Sequence, residues 1–265
     1  MAHVFGMALV SEHKVRSTYM LLTMLHSLFG GVGKGPSKSA GLVVACGNGI
    51  TTIKDRKHAV DFIKDPNVEG LVKSKMELTG ANRLTVLLGH SHALLEPNAS
   101  DIDIHPIVCN KIVGVHSGHI RNASDIFSTF QVVREGRYSG EAFFRLLNLL
   151  YYRYSNLHTQ PMRSAAARVV HTAEGSFLTS WVCKDNPYLL WMASSVSGLI
   201  IRYYKTIGLL VFGDDPGCLD KAVQGFELGD YDFIAAEKET LIGIDLHSRT
   251  ILKKSFSEAS VPIND

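Results

Sequence analysis

Five histidines fall within one stretch of thirty residues: His90, His92, His105, His116 and His119. Imidazole is the side chain whose charge changes near neutral pH, so such crowding could supply general bases or metal ligands. His90 and His92 lie two apart, which on a strand puts both rings on one face. A zinc site wants three or four converging ligands. Structural or surface histidines are the expectation, and no metal site is assigned. Ser11, Ser117 and Cys46 could serve as nucleophiles, but no base is visibly paired with any of them in the sequence. Gly33-Lys34 lacks the phosphate-loop pattern, because Gly35 follows where Ser or Thr is required. No cofactor motif is read.

Composition narrows the class. The chain has 265 residues, 46% hydrophobic and 20% charged, which suits one large globular domain over residues 1–265. The formal net charge is +2, so nothing pushes the chain toward nucleic acid or an anionic membrane. The basic clusters are short, at Lys54 to Lys57 and Lys253-Lys254, and read as solvated faces. Four cysteines, Cys46, Cys109, Cys183 and Cys218, lie far apart without a C-x-x-C pair. They read as reduced thiols in a cytoplasmic protein. The apolar runs Leu146 to Tyr152 and Leu199 to Phe212 are too short or too interrupted for a membrane helix of roughly 20 residues. Asn98-Ala99-Ser100 and Asn122-Ala123-Ser124 match the glycosylation acceptor pattern and, with no signal peptide in view, are expected to be chance.

The periodicity supplies a scaffold for these residues. Strands are predicted at Val4 to Val10, Leu42 to Cys46, Ile50 to Ile53, Leu84 to Leu88 and Ile112 to Val115. Helices are predicted over Thr18 to Phe29, His58 to Val72 (interrupted by Pro66), Asp125 to about Glu135, Gly140 to Arg153, and Pro161 to His171. Ser124 and Ser139 are placed as helix caps. Loops are read at Gly30 to Ser39 and Leu94 to Pro106. From Gly175 the period shortens, and Ser176 to Cys183, Tyr188 to Ala193, Leu199 to Tyr204, Leu209 to Phe212 and Leu241 to Leu246 read as an antiparallel meander. Strands, helices, then strands implies a layered α+β domain with two sheets and helices outside.

Several short patches share an order. Ser39-Ala40-Gly41-Leu42, Gly89-His90-Ser91-His92-Ala93, Asp103-Ile104-His105-Pro106, Val115-His116-Ser117-Gly118 with Ile120 and Asn122, Ser139-Gly140-Glu141, and Glu174-Gly175-Ser176-Phe177 follow one another along the chain. Together they resemble the class II glutamine amidotransferase family almost end to end. The resemblance implies the N-terminal-nucleophile hydrolase fold, a four-layer αββα sandwich of two mostly antiparallel sheets. It also implies a mechanism. A cysteine next to the initiator Met attacks the glutamine amide, with its own α-amine as base. An Asn side chain and a Gly amide hold the oxyanion, an Arg pairs with the substrate carboxylate, and an Asp pairs with its ammonium.

Against that pattern the chain departs at most points. Ala2 stands at the nucleophile position, and a methyl group cannot attack an amide. Ser117 replaces the oxyanion Asn, while Gly118 remains. His92 replaces the carboxylate-binding Arg, and it is shorter, not bidentate and mostly neutral at pH 7. Ser139 replaces the ammonium-binding Asp. The resemblance thus implies an amidotransferase-like domain without glutaminase activity, acting as a binding, regulatory or assembly protein. Its partners would be another protein or a second copy, or a small molecule in the former glutamine pocket, with neither nucleic acid nor membrane involved. No synthetase or isomerase segment is read, so an ammonia-using partner is expected on a separate chain. Two alternatives stand beside this reading: an active amidotransferase or amide hydrolase using a different nucleophile or a separate synthase partner, and a structural subunit of a larger assembly.

Overall fold

A computed structural model describes residues 2–11, 15, 17–32, 38–93 and 100–259. Among them the chain folds into two antiparallel sheets with helices on both outer faces. The first sheet has seven strands. Its centre is β1 (Ala2–Leu9), paired on one side with β4 (Leu84–His92) and on the other with β10 (Leu209–Gly213). Beyond β4 come β2 (Ser39–Cys46) and β3 (Gly49–Asp55), and beyond β10 come β9 (Ile200–Tyr204) and β11 (Asp232–Ala235). The second sheet runs β13 (Thr250–Ser255), β12 (Thr240–Asp245), β8 (Asn186–Ser194), β7 (Gly175–Cys183), β6 (Ile112–Ile120) and β5 (Ile107–Cys109).

Three apolar layers follow from strand alternation. Val4, Ala8, Val43, Val86 and Leu88 from the first sheet meet Val113, Val115, Leu178, Val182 and Met192 from the second, forming the layer between the sheets. The opposite face of the first sheet offers Phe5, Met7, Leu42 and Leu87. They pack under α1 (Thr18–Val32), α2 (Ala59–Ile63), α3 (Pro66–Met76) and α7 (Pro216–Val223). The outer face of the second sheet is covered by α4 (Ala123–Thr129), α5 (Gly140–Tyr154), α6 (Pro161–Thr172) and α8 (Phe256–Ala259). The result is an αββα sandwich, as the strand and helix order predicts.

The structure corrects several local expectations. The helix expected over 58–72 is two helices. Asp65 accepts from the Asn67 amide and Pro66 starts α3, so Pro66 opens a helix rather than denting one. The helix expected from Asp125 to about Glu135 stops at Thr129. Its N-cap is Asn122, not Ser124. Ser139 occupies the N-cap position of α5 but makes no capping hydrogen bond; its hydroxyl is used elsewhere. The edge strands β5, β11 and β13 and the helices α7 and α8 were not anticipated. All four cysteines are buried and free. Gly33-Lys34, Asn98 and Ala99 lie outside the described residues.

Two glycines offer opposite tests of this packing. A Cβ on Gly6 of β1 would lie 2.3 Å from the Leu87 carbonyl oxygen and 2.5 Å from the Phe212 ring, and the backbone oxygen cannot yield. Gly70, inside α3, has nothing within 4 Å. Gly6→Ala is expected to destabilise by about 1–3 kcal/mol or more. Gly70→Ala is expected to stabilise by about 0.5–1 kcal/mol. Urea denaturation of both variants checks the pair.

Candidate functional site

The site predicted from the resemblance lies where β1, β4 and β6 end together. On β1, Ala2 has the same parity as Val4 and Ala8, so its methyl faces the layer between the sheets. His92 is its cross-strand partner on β4, and His90 and His92 continue the intersheet row begun by Val86 and Leu88. On β6, Ser117 continues the row of Val113 and Val115, while His116 turns to the other face, beneath α5. A Cβ on Gly140, the first residue of α5, would meet the His116 ring at 2.4 Å, so the helix start lies flush on that imidazole. Gly118 has φ +102°, a conformation that side-chain-bearing residues rarely adopt.

Three of the five expected residues are joined directly, Ala2 to His92 by strand pairing and to Ser117 by a hydrogen bond, while Ser139 bonds residues outside the set. Ser117 Oγ donates to the Ala2 carbonyl at 2.8 Å. The His92 carbonyl accepts from Ser39 Oγ at 3.2 Å and from the Lys38 amide at 3.0 Å. Its ring Nε2 lies 2.8 Å from the Tyr138 hydroxyl. Ser139 Oγ accepts from the Ile120 amide at 3.1 Å and contacts His119 Nδ1, also at 3.1 Å. That serine anchors the end of β6 instead of capping α5.

Behind these residues sits a dry cluster of imidazoles. The His90 and His105 rings lie 4.1 Å apart, and His105 and His116 stack with centroids 6.4 Å apart. His90 Nε2 donates to the His116 carbonyl at 2.9 Å. Burial holds His90 and His105 well below the ordinary histidine range. The same cause lowers His92 to about 4 and His116 to about 3. Uncharged, they can lie side by side without repulsion. Among the described residues, no three His, Cys, Asp or Glu side chains are arranged to hold a metal ion.

Tyr138 is the residue that sequence reasoning missed. Its ring stands edge-on to His92 and His105, with centroids at 5.2 and 4.9 Å. It sits in an irregular segment fixed by two carboxylates. Asp103 accepts from the Arg137 amide at 2.6 Å, and Glu141 accepts from the Glu135 and Gly136 amides at 2.9 and 2.7 Å. Gly136 passes so close to Asp103 that a Cβ would lie 2.9 Å from its oxygen. The His105-Pro106 peptide is cis, and Lys54 Nζ donates to the Ile104 carbonyl at 2.8 Å beside it. Asp103 and Glu141 belonged to matched patches, so the signal was present, but nothing in the sequence aimed them at Tyr138.

The other nucleophiles considered fall elsewhere. Cys46 is buried at the far end of β2. Ser11 does have an imidazole beside it, contrary to expectation, since its Oγ lies 2.9 Å from His247 Nδ1. That pair is exposed and stands with β12 and β13, away from Ala2.

Comparison with known proteins agrees with this fold. No protein-family model matches the chain. The chain is 26% identical over 222 residues to a glutamine–fructose-6-phosphate aminotransferase (isomerizing) of Caldanaerobacter subterraneus, covering 82% of this chain and 34% of that protein. Among solved structures it is similar to the glutamine phosphoribosylpyrophosphate amidotransferase of B. subtilis, with a TM-score of 0.68 at 14% identity. It is also similar to a structure described as the allosteric regulatory enzyme of purine biosynthesis, with a TM-score of 0.66 at 15% identity. These matches cover 96% and 99% of this chain but 49% and 50% of those chains. The chain thus spans about a third of the curated relative and about half of each solved neighbour.

The buried imidazoles make stability pH-dependent. In the unfolded chain a histidine titrates near about 6.5; in the fold, His92 and His116 stay neutral far below that. Stability is therefore complete above about pH 6.5 and is lost as pH falls from there toward about 4, at about 1.4 kcal/mol per pH unit for each such histidine. Urea midpoints across this range check the slope. Tyr138→Phe, which leaves His92 Nε2 without its partner, is expected to cost about 1–3 kcal/mol. Taken together, fold, residue patches and sequence similarity support a glutamine amidotransferase class II-like domain.

Proposed function

We propose that this domain has lost glutaminase chemistry and acts as a binding, regulatory or assembly protein. The observation that carries the reading is the Ser117 Oγ to Ala2 carbonyl hydrogen bond. The position where the resemblance places a nucleophile bears a methyl group. The position where it places an oxyanion donor has its only polar atom turned onto the backbone of that same residue. Removing one oxyanion donor typically costs about 10²–10³ in rate, and removing the nucleophile ends covalent catalysis altogether.

The binding groups support the same reading. Glutamine is a zwitterion, and a pocket for it needs a cation and an anion at fixed positions. His92 is neutral near pH 7 because burial lowers it to about 4, and its Nε2 is engaged by Tyr138. Ser139 carries no charge and is engaged by Ile120 and His119.

Release of ammonia and glutamate from glutamine tests the proposal. The unaltered protein and Ala2→Cys are both expected to release none above background, because Ala2→Cys restores a thiol but neither charge. Release by Ala2→Cys alone would show a working pocket silenced by one residue. Release by the unaltered protein would overturn the proposal, and its loss in Ser11→Ala would then assign the activity to the Ser11–His247 pair.

A further inference from the structure

The second sheet carries a cavity at the end opposite Ala2. Strand β7 starts at Gly175, which pairs with Ile120 beside the former glutamine site, and ends at Cys183, which lines the cavity. Nine extended residues span roughly 25 Å, so the two places are separate. The cavity measures about 470 Å³, within the range of small-molecule sites. It lies between the outer face of β8, β12 and β13 and the start of α6.

Its lining has three distinct chemistries. One wall is apolar: Met162, Leu189, Trp191 and Leu252. Trp191 is 5% exposed, and its ring forms part of this wall. The second chemistry is positive. Helix α6 is twelve residues long, begins with Pro161, and has no side-chain cap at Gln160. The amides of its first turn are thus open to an anion. Arg163, on that turn, also lines the cavity, with its guanidinium steered by Gln160 Oε1 at 3.0 Å.

The third chemistry is negative. Asp185 and Asp245 line the cavity. Asp185 is neutralised by Lys111 at 2.6 Å and accepts from the Tyr151 hydroxyl at 3.0 Å. Asp245 uses Oδ1 for the His247 and Ser248 amides, and its Oδ2 makes no hydrogen bond among the described residues. Asp245 therefore supplies a carboxylate edge with no cation assigned to it.

We propose that this cavity binds a free α-amino acid with an apolar side chain. The ligand carboxylate takes the α6 amides and the Arg163 guanidinium. The ammonium faces Asp245, and the side chain lies against Met162, Leu189 and Leu252. This assignment does not depend on the state of the glutaminase site.

Titration calorimetry and tryptophan emission test it on the whole chain. The chain has two tryptophans, Trp181 and Trp191, stacked at 6.2 Å, so emission reports the cavity directly. L-phenylalanine, L-leucine or L-methionine is expected to bind with a change in emission. 3-Phenylpropionate, which lacks the ammonium, and phenethylamine, which lacks the carboxylate, should bind about 10- to 100-fold more weakly than L-phenylalanine. Arg163→Glu and Asp245→Asn should each weaken binding by a similar factor, with circular dichroism unchanged; Asp245→Asn keeps the oxygen that holds the turn. No heat and no emission change up to about 10 mM, where even a millimolar site is nearly filled, would overturn the proposal. Equal binding of 3-phenylpropionate, or undiminished binding by both variants, would overturn it as well.

Discussion

The architecture hangs on how the first strand is held. β1 is hydrogen-bonded along both edges, to β4 and to β10, so an element at the very start of the chain becomes the middle of a sheet. Its first described residue is then tied across to the other sheet by Ser117. Chain ends ordinarily fray unless pinned. Here Ala2 is held by β4 and by one side-chain bond between sheets, and β10 joins from Phe5 onward. Any fold that asks a residue at the start of the chain to do work must immobilise that residue, and this one does so whether or not the residue is reactive. The strand pairing uses backbone atoms, so the pinning does not depend on which side chain stands at position 2.

Much of this could be read beforehand, for identifiable reasons. Strands buried on both faces, such as β2 and β4, are continuous apolar runs and announce themselves. α1 carries Leu21, Leu25, Leu28 and Phe29 at helical spacing. The missed elements are of a different kind. β13, with Lys253 and Lys254, and β11, with Asp232, are edge strands. Their charges suit an edge, and it is their neighbours that make them strands. α4 ends early because the chain turns at Phe130 and Gln131, the latter at φ +52°.

Within the site, the histidines were visible and their organiser was not. Tyr138 is one aromatic residue in an irregular segment, and its position depends on Asp103, thirty-five residues away in sequence, and on Glu141. Carboxylates that fix backbone amides leave no periodic trace. Likewise Ser139 looks like a cap from its place before a helix, and only the closeness of Ile120 turns its hydroxyl aside. Sequence position predicts which partners are near along the chain; it is silent on partners brought in by the other sheet.

Polar groups cluster at both ends of the second sheet. At the Ala2 end, four imidazoles and a tyrosine form a layer in which burial suppresses charge, and Ser117, Ser139 and His92 Nε2 are bonded within the protein. The layer is neutral and bonded at its outer positions, while His90 Nδ1, His105 Nε2 and both ring nitrogens of His116 have no hydrogen-bond partner among the described residues. At the Cys183 end, a helix start lacks a side-chain cap and a carboxylate oxygen lacks a donor among the described residues, both beside one cavity. Unpaired groups of complementary kind cost stability unless something occupies them. A ligand at the Cys183 end would meet groups that the protein itself leaves unpaired.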